Sequence, residues 1–146
     1  MRETFEFQVR LAAEFHRPVV LHGAKCWGQV ILAIQSLIPD PRSLIPSFLF
    51  HGFSRSDGLI PDIVALNGYI SVGPAVLNGH AVNYRELVKK IPIERLLVET
   101  DRTPENAAKC PSVRDVAAAV ATYRNMSFAE LERITDENAD RFLNLI

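Results

Sequence analysis

Leu96-Leu97-Val98-Glu99-Thr100-Asp101 is a short apolar run that stops abruptly in acidic and polar residues, with Pro92 behind it and Pro104 ahead. Such a run reads as a buried strand whose C-terminal tip carries carboxylates to the rim of a sheet. Parallel α/β proteins keep their chemistry at that rim. Two earlier stretches repeat the layout: Val19-Val20-Leu21-His22 and Ser47-Phe48-Leu49-Phe50-His51 each close an apolar run with histidine. Three strand tips thus present His22, His51 and Asp101.

Working outward, Arg2 to Phe15 places Phe5, Val9, Ala12 and Ala13 at helical spacing. Trp27 to Leu37 is a second helical segment, stopped before Pro39-Asp40-Pro41. A polar loop, Gly52-Phe53-Ser54-Arg55-Ser56, leads to a helix around Pro61 to Leu66 closed by Asn67-Gly68. Tyr69-Ile70-Ser71-Val72 is a third strand. Capping-box spacing at Asn83/Glu86, Ser112/Asp115 and Ser127/Glu130 announces three further helices. Strands alternating with helices at this regularity imply a parallel sheet with right-handed crossovers. A closed eight-stranded barrel typically takes about 250 residues, and 146 residues leave room for half of one. The fold class is therefore α/β, either a small open domain or a partial barrel of about four parallel strands with flanking helices.

Composition sets the outer bounds. A hydrophobic fraction of 48% with 23% charged residues belongs to a folded globular chain. The formal net charge of -1 gives no footprint for nonspecific duplex binding, so any nucleic-acid contact is local. Cys26 and Cys110 lack CxxC spacing, which points to reduced thiols and a cytoplasmic location. No apolar run approaches membrane-span length, and no membrane partner is expected.

Read by elementary chemistry, imidazole nitrogen and carboxylate oxygen suit zinc or manganese, and magnesium where more oxygen and water are added. Three ligands can hold one catalytic ion with an open position and cannot easily hold two. A single histidine at a strand end is more often a hydrogen-bonded loop residue than a ligand. At equivalent tips of one sheet, His22, His51 and Asp101 become a candidate set. His16 and His80, in a helix and a loop, read as surface residues. Glu99 either lines the site or pairs with a cation, and a place behind the metal ligands is the preferred reading. Lys25, just beyond the His22 tip, is a candidate phosphate contact, with a solvated lysine as the alternative. Trp27 and Phe53 could stack on a nucleobase, although packing over a sheet edge is the commoner outcome for large aromatics. Lys89-Lys90 suits a helix C-terminus.

The chain resembles the C-terminal part of the TatD-type metal-dependent deoxyribonucleases, an amidohydrolase-like branch of the TIM (β/α)8 barrels. The motifs that carry the likeness are Pro18-Val19-Val20-Leu21-His22, His51-Gly52-Phe53-Ser54, Tyr69-Ile70-Ser71-Val72-Gly73, Ile91-Pro92-Ile93-Glu94-Arg95, Leu97-Val98-Glu99-Thr100-Asp101, and Thr135-x-x-Asn138 with Phe142. The resemblance implies that the four strands correspond to strands five to eight of the barrel. It implies metal ligation by His22, His51 and Asp101, and a catalytic role for Asp101 in hydrolysing DNA phosphodiesters through a metal-activated water. It further implies one or two divalent ions (Mg, Mn or Zn) in the complete site. Lys25, Ser54 and Arg102 are the candidate substrate contacts, the Arg102 guanidinium either binding a phosphate or competing for the carboxylate a metal needs, and Glu99 is placed behind the ligands. The family's opening His-x-His and its bridging glutamate have no counterpart here. Arg102 and Arg55 stand where the family usually has small residues, placing cations near the site. The expectation is one TatD-like hydrolase domain over 1–146, truncated at its N-terminus. Its outer strands would then carry unpaired edges. A homodimer, a separate chain with the N-terminal half, or the Arg2 to Phe15 helix would have to cover them. The alternative function is a catalytically inactive half-barrel that serves as a binding or assembly module.

Overall fold

The computed structural model describes residues 2–23, 25–37, 46–54 and 57–143. The Pro39-Asp40-Pro41 break and the Arg55 cation lie outside the described residues. Strands β1 (Val19–Leu21), β2 (Phe48–Phe50), β3 (Gly68–Val72) and β4 (Leu96–Val98) form one sheet in the order β1-β2-β3-β4, every pair parallel. Val20, Leu49 and Tyr69 stand side by side across the first three strands, and Ser71 stands beside Leu97. Because side chains alternate along a strand, these residues share one face. Leu21, Phe50, Ile70 and Leu96 share the other.

The two faces are covered differently. The second face carries the main core, in which Phe48, Phe50, Ile70, Val72 and Leu96 are fully buried under the helices. Helix α2 (Trp27–Leu37) contributes Trp27, Ile31 and Ile34 at helical spacing, and α5 (Val113–Tyr123) contributes Val116, Ala117, Val120 and Ala121. The first face has only a small cluster, Tyr69, Leu97 and Phe142, with Leu49 and Ala139 packed against it. Phe142 comes from the end of α6 (Phe128–Leu143), and its ring meets Tyr69 edge-on at 5.7 Å. The chain's last helix therefore covers part of the face that a full barrel would turn inward. Val20 on the same face remains half exposed.

Helix boundaries follow local chemistry. Helix α1 (Arg2–Glu14) ends with His16 at φ 50°, where the amides of Arg17 and His16 bond back to the carbonyls of Ala12 and Ala13. That is the double bond pattern of a left-handed C-terminal cap. Asn125, also at positive φ, closes α5 in the same way, with Met126 bonded to Ala121 and Asn125 to Thr122. Helix α3 (Ile60–Ala65) stops before Asn67, whose positive φ does what the Asn67-Gly68 pair promised. Ser112 and Asp115 form the expected reciprocal capping box of α5. Ser127 accepts the Glu130 amide at the start of α6. The expected box at Asn83 does not form: α4 (Val82–Lys90) begins two residues earlier, capped at Ala81 with no side-chain hydrogen bond.

Helix α1 packs on α2 and leaves a cleft of about 1030 Å³ beside β1, lined by Phe5, Val9, Val20, Leu21, Val30 and Leu32 among others. The Arg2 to Phe15 helix thus does not seal the β1 edge. No helix among the described residues is long and apolar enough to cross a membrane.

Candidate metal centre

The strand tips meet as the pleat requires. His22 follows Leu21, His51 follows Phe50 and Glu99 follows Val98, so alternation puts all three above the same face as Val20, Leu49 and Leu97. His22 and His51 pack edge to face with ring centroids 4.5 Å apart. Asp101 reaches His51 from the loop beyond β4, and its Oδ1 lies 2.9 Å from Nε2. On the other side of the ring, Glu99 Oε2 lies 2.7 Å from Nδ1. The approach to Nδ1 is close but lies off the N–H direction, so this buried nitrogen makes no hydrogen bond. The imidazole sits between an inner carboxylate, 18% exposed, and an outer one, 80% exposed.

Glu99 is held from behind. Ser71 Oγ donates to Glu99 Oε2 at 2.5 Å and itself accepts the Gly52 amide at 3.2 Å. Gly52 adopts φ +60°, a conformation glycine takes without strain. At Gly73 a side chain would crowd the carboxylate, since a Cβ there would lie 3.3 Å from Glu99 Oε1. The Gly73 amide donates to Tyr84 Oη at 3.1 Å. Burial raises the Glu99 pKa, with the nearby Asp101 charge adding to the rise, while the Ser71 hydrogen bond and the His51 charge pull it back. Burial likewise raises Tyr84, and the Glu99 charge adds to it.

Asp101 is positioned by its own loop. It is a non-glycine residue at φ 49°, a sparsely populated conformation that aspartate tolerates better than most. Asn106 Nδ2 donates to the Asp101 carbonyl at 3.0 Å, while its Oδ1 accepts the Thr103 amide at 2.8 Å. Cys110 Sγ donates to the Thr100 carbonyl at 3.1 Å. One short polar loop therefore presents the outer carboxylate.

The donor set can be tested against a divalent ion. Ligands roughly 2.0–2.2 Å from a metal stand about 3.0 Å apart at octahedral angles and about 3.4 Å apart at tetrahedral ones. The His51 Nε2 to Asp101 Oδ1 separation of 2.9 Å matches the octahedral spacing. Each ring nitrogen satisfies a neighbouring acceptor only while it carries a hydrogen, and a cation taking Nε2 would replace one. Among the described residues, however, no three His, Cys, Asp or Glu side chains are placed to enclose an ion. The residues fit a metal in donor type and in the spacing of one pair. In number they are an incomplete set.

Lys25 is exposed at φ 65°, and Ser54 and Arg102 are exposed in their loops. The Arg102 charge contributes to lowering the pKa of Asp115, behind the two Ser112 hydrogen bonds. Trp27 and Phe53 follow the packing reading and not base stacking: Phe53 is fully buried and Trp27 nearly so, their rings 5.6 Å apart in the main core. Ser71, Tyr84 and Asn106 escaped notice in the sequence. Ser71 alone left a signal, as a polar residue inside an apolar strand.

The model of the family described as TatD-related DNase matches residues 1–144, and the chain belongs to that family. It is 30% identical over 151 aligned residues to an uncharacterized metal-dependent hydrolase, YabD, of Bacillus subtilis, an alignment covering 99% of this chain and 58% of that one. It is 26% identical to the 3'-5' ssDNA/RNA exonuclease TatD of Edwardsiella piscicida, covering 97% of this chain and 57% of that one. The chain thus spans a little over half the length of these relatives. Among solved structures, a TatD homologue from Escherichia coli, YJJV, superposes with a TM-score of 0.73 at 23% identity, covering 94% of this chain and 54% of the other. An uncharacterized amidohydrolase from Saccharomyces cerevisiae superposes at 0.72 and 16% identity, covering 97% and 59%. These likenesses establish the fold: four parallel strands with flanking helices, laid out as in part of a larger α/β barrel.

Proposed function

We propose that the chain is a single metal-dependent hydrolase domain of the TatD type, corresponding to the C-terminal part of the barrel and acting on phosphodiesters, with DNA as substrate. The observation that carries this reading is the His51–Asp101 pair at ligand spacing, with His22 packed beside it. The name of the Edwardsiella piscicida relative, a single-stranded DNA and RNA exonuclease, supports the substrate class.

In this reading His22, His51 and Asp101 hold a divalent ion (Mg, Mn or Zn). When bound, such an ion lowers the pKa of a water and stabilises charge on phosphoryl oxygens. The chain's own residues do the rest. Asp101, largely exposed, accepts the proton of the attacking water at Oδ1 or Oδ2. Lys25 and Arg102 contact phosphate oxygens by charge, and Ser54 adds a hydroxyl donor. Glu99 stays behind His51 and does not meet substrate.

The open β1 edge and its apolar cleft support a partner there, either a second copy or a chain equivalent to the N-terminal half. The two free thiols support a reducing, cytoplasmic setting.

Nuclease assays on single-stranded DNA and RNA with magnesium, manganese or zinc test the reading. Asp101→Asn and His51→Ala should abolish turnover, and unchanged activity in both variants overturns it. The absence of a three-donor group among the described residues favours a second reading, an inactive half-barrel used for binding or assembly. Under that reading no divalent ion raises the melting temperature.

A further inference from the structure

Strand β1 ends the sheet on one side, and its middle residue points away from its neighbour. The Val19 amide donates to the Ser47 carbonyl at 2.8 Å, and the Leu21 carbonyl accepts the His51 amide at 3.1 Å. Successive strand residues turn their backbone groups to opposite edges, so the N–H and C=O of Val20 face outward. The cleft beside β1 wraps that edge: Val20 lines it from one face of the sheet and Leu21 from the other, with Phe5 and Val9 of α1 across from them. Val20 and Leu32, which also lines it, are 50% and 66% exposed. Among the described residues of the lining, Arg2 is the one Lys, Arg, Asp or Glu, and Glu6 pairs with it at 2.7 Å. The size of the cleft is that of one strand. A strand residue rises about 3.3 Å and takes up roughly 4.8 Å between neighbouring strands and about 10 Å between faces. At that cross-section a cleft of about 1030 Å³ holds about six extended residues, the usual length of a strand.

We infer that this cleft is a docking site for one extended, uncharged apolar segment of a separate polypeptide, which adds to the sheet beside β1 by pairing with the backbone of Val20. The inference rests on the partner reading given above for this edge and uses none of the hydrolase chemistry. Main-chain bonds hold the added segment, and its alternate side chains enter between α1 and β1 or join Val20 on the other face. A second copy of this chain fits the slot poorly. Strands β2 and β3 are paired on both edges. At the foot of β4 the Leu96 amide bonds to the Ile93 carbonyl and the Leu96 carbonyl accepts Asn138, so that edge is already partly used. Strand β1 of a second copy brings its own α1 against this one.

The test is amide hydrogen exchange on the full chain, read by NMR with a short soluble peptide of alternating valine and threonine carrying a lysine at each end. Without peptide the Val20 amide should exchange freely, and at saturating peptide its exchange should slow by about 10-fold or more. A backbone N-methylated form of the peptide, which cannot donate, should give no protection. Val20→Pro removes the outward donor at an edge position where proline is tolerated, and it should abolish binding while Trp27 fluorescence reports a folded chain. Where that variant does not fold, Leu32→Glu, at an exposed position on the cleft wall, decides by weakening binding. Unchanged exchange at Val20 with millimolar peptide overturns the inference, as does equal binding of the N-methylated form or of the folded variants. A Val20 amide already protected in the free chain, together with the solution mass of a dimer, gives the slot to a second copy and overturns it too. Nuclease assays on the same samples keep the two readings apart: an inactive chain that still takes the peptide sinks the hydrolase reading alone, and an active chain that does not take it sinks the docking site alone.

Discussion

The side-chain amide of Asn138, fully buried on α6, donates to the carbonyl of Leu96 at 2.8 Å and fastens the last helix to the foot of β4. The same nitrogen reaches the Ile93 carbonyl, also at 2.8 Å, and Arg141 donates to the amide oxygen. This accounts physically for the Thr135-x-x-Asn138 and Phe142 pattern: Leu131, Thr135, Asn138 and Phe142 form one buried stripe. The polar members of that stripe are satisfied, Thr135 by the carbonyls of Leu131 and Glu132.

Asn138→Ala should therefore destabilise the fold by roughly 2 kcal/mol, since it strands two backbone acceptors at once. The loss is read as a lower urea midpoint with an unchanged slope. A variant as stable as the parent would show that water replaces the amide without cost.

A divalent ion that binds His22, His51 and Asp101 only in the folded state must raise stability, by about 2.7 kcal/mol at a hundredfold excess over its Kd. Mn2+ or Zn2+ should raise the melting temperature of the parent. Asp101→Asn and His22→Ala should each lose most of that gain. Thermal scans with and without metal decide it, and an equal gain in all three proteins would place the ion elsewhere.

Glu99 gives a pH dependence whose sign is fixed by burial. Its folded-state pKa is raised above the unfolded value of 4.5, so between the two values the folded protein holds more protons than the unfolded one. Stability contributed by this group therefore falls as pH rises from 4.5 through the raised pKa. Glu99→Gln should flatten that decline in metal-free protein, measured as urea midpoints across the window. A steeper decline in the variant would mean that attraction to His51 outweighs burial.

Trp27 is the sole tryptophan, and it packs against Phe50 and Phe53 at centroid distances of 5.4 and 5.6 Å. Its fluorescence should report unfolding and stay unquenched by oligonucleotides. Trp27→Ala should cost about 3–5 kcal/mol. Quenching of the folded protein by single-stranded DNA would contradict its place in the core.

Much of this was legible in the chain itself. The four strands lie where apolar runs meet prolines, glycines and polar tips, because a parallel strand buried on both sides has little freedom in composition. The Ser112 and Ser127 caps were readable since they act within one turn. Asn83 misled because a matching spacing does not oblige a helix to begin there, and α4 starts from Ala81 without a side-chain cap. Trp27 and Phe53 were readable as aromatic, and only packing assigned them to the core.

The sequence by itself determined the order of strands and helices and which residues stand at the strand tips, because these depend on short-range periodicity and turn chemistry. Tertiary structure alone decided which tips meet and what holds them. His51 finds Asp101 from 50 residues away and Ser71 finds Glu99 from 28. Nothing local marks such pairs. They exist because parallel pairing in one register sets neighbouring tips side by side, and because the pleat turns Ser71, Glu99 and both histidines to the same face.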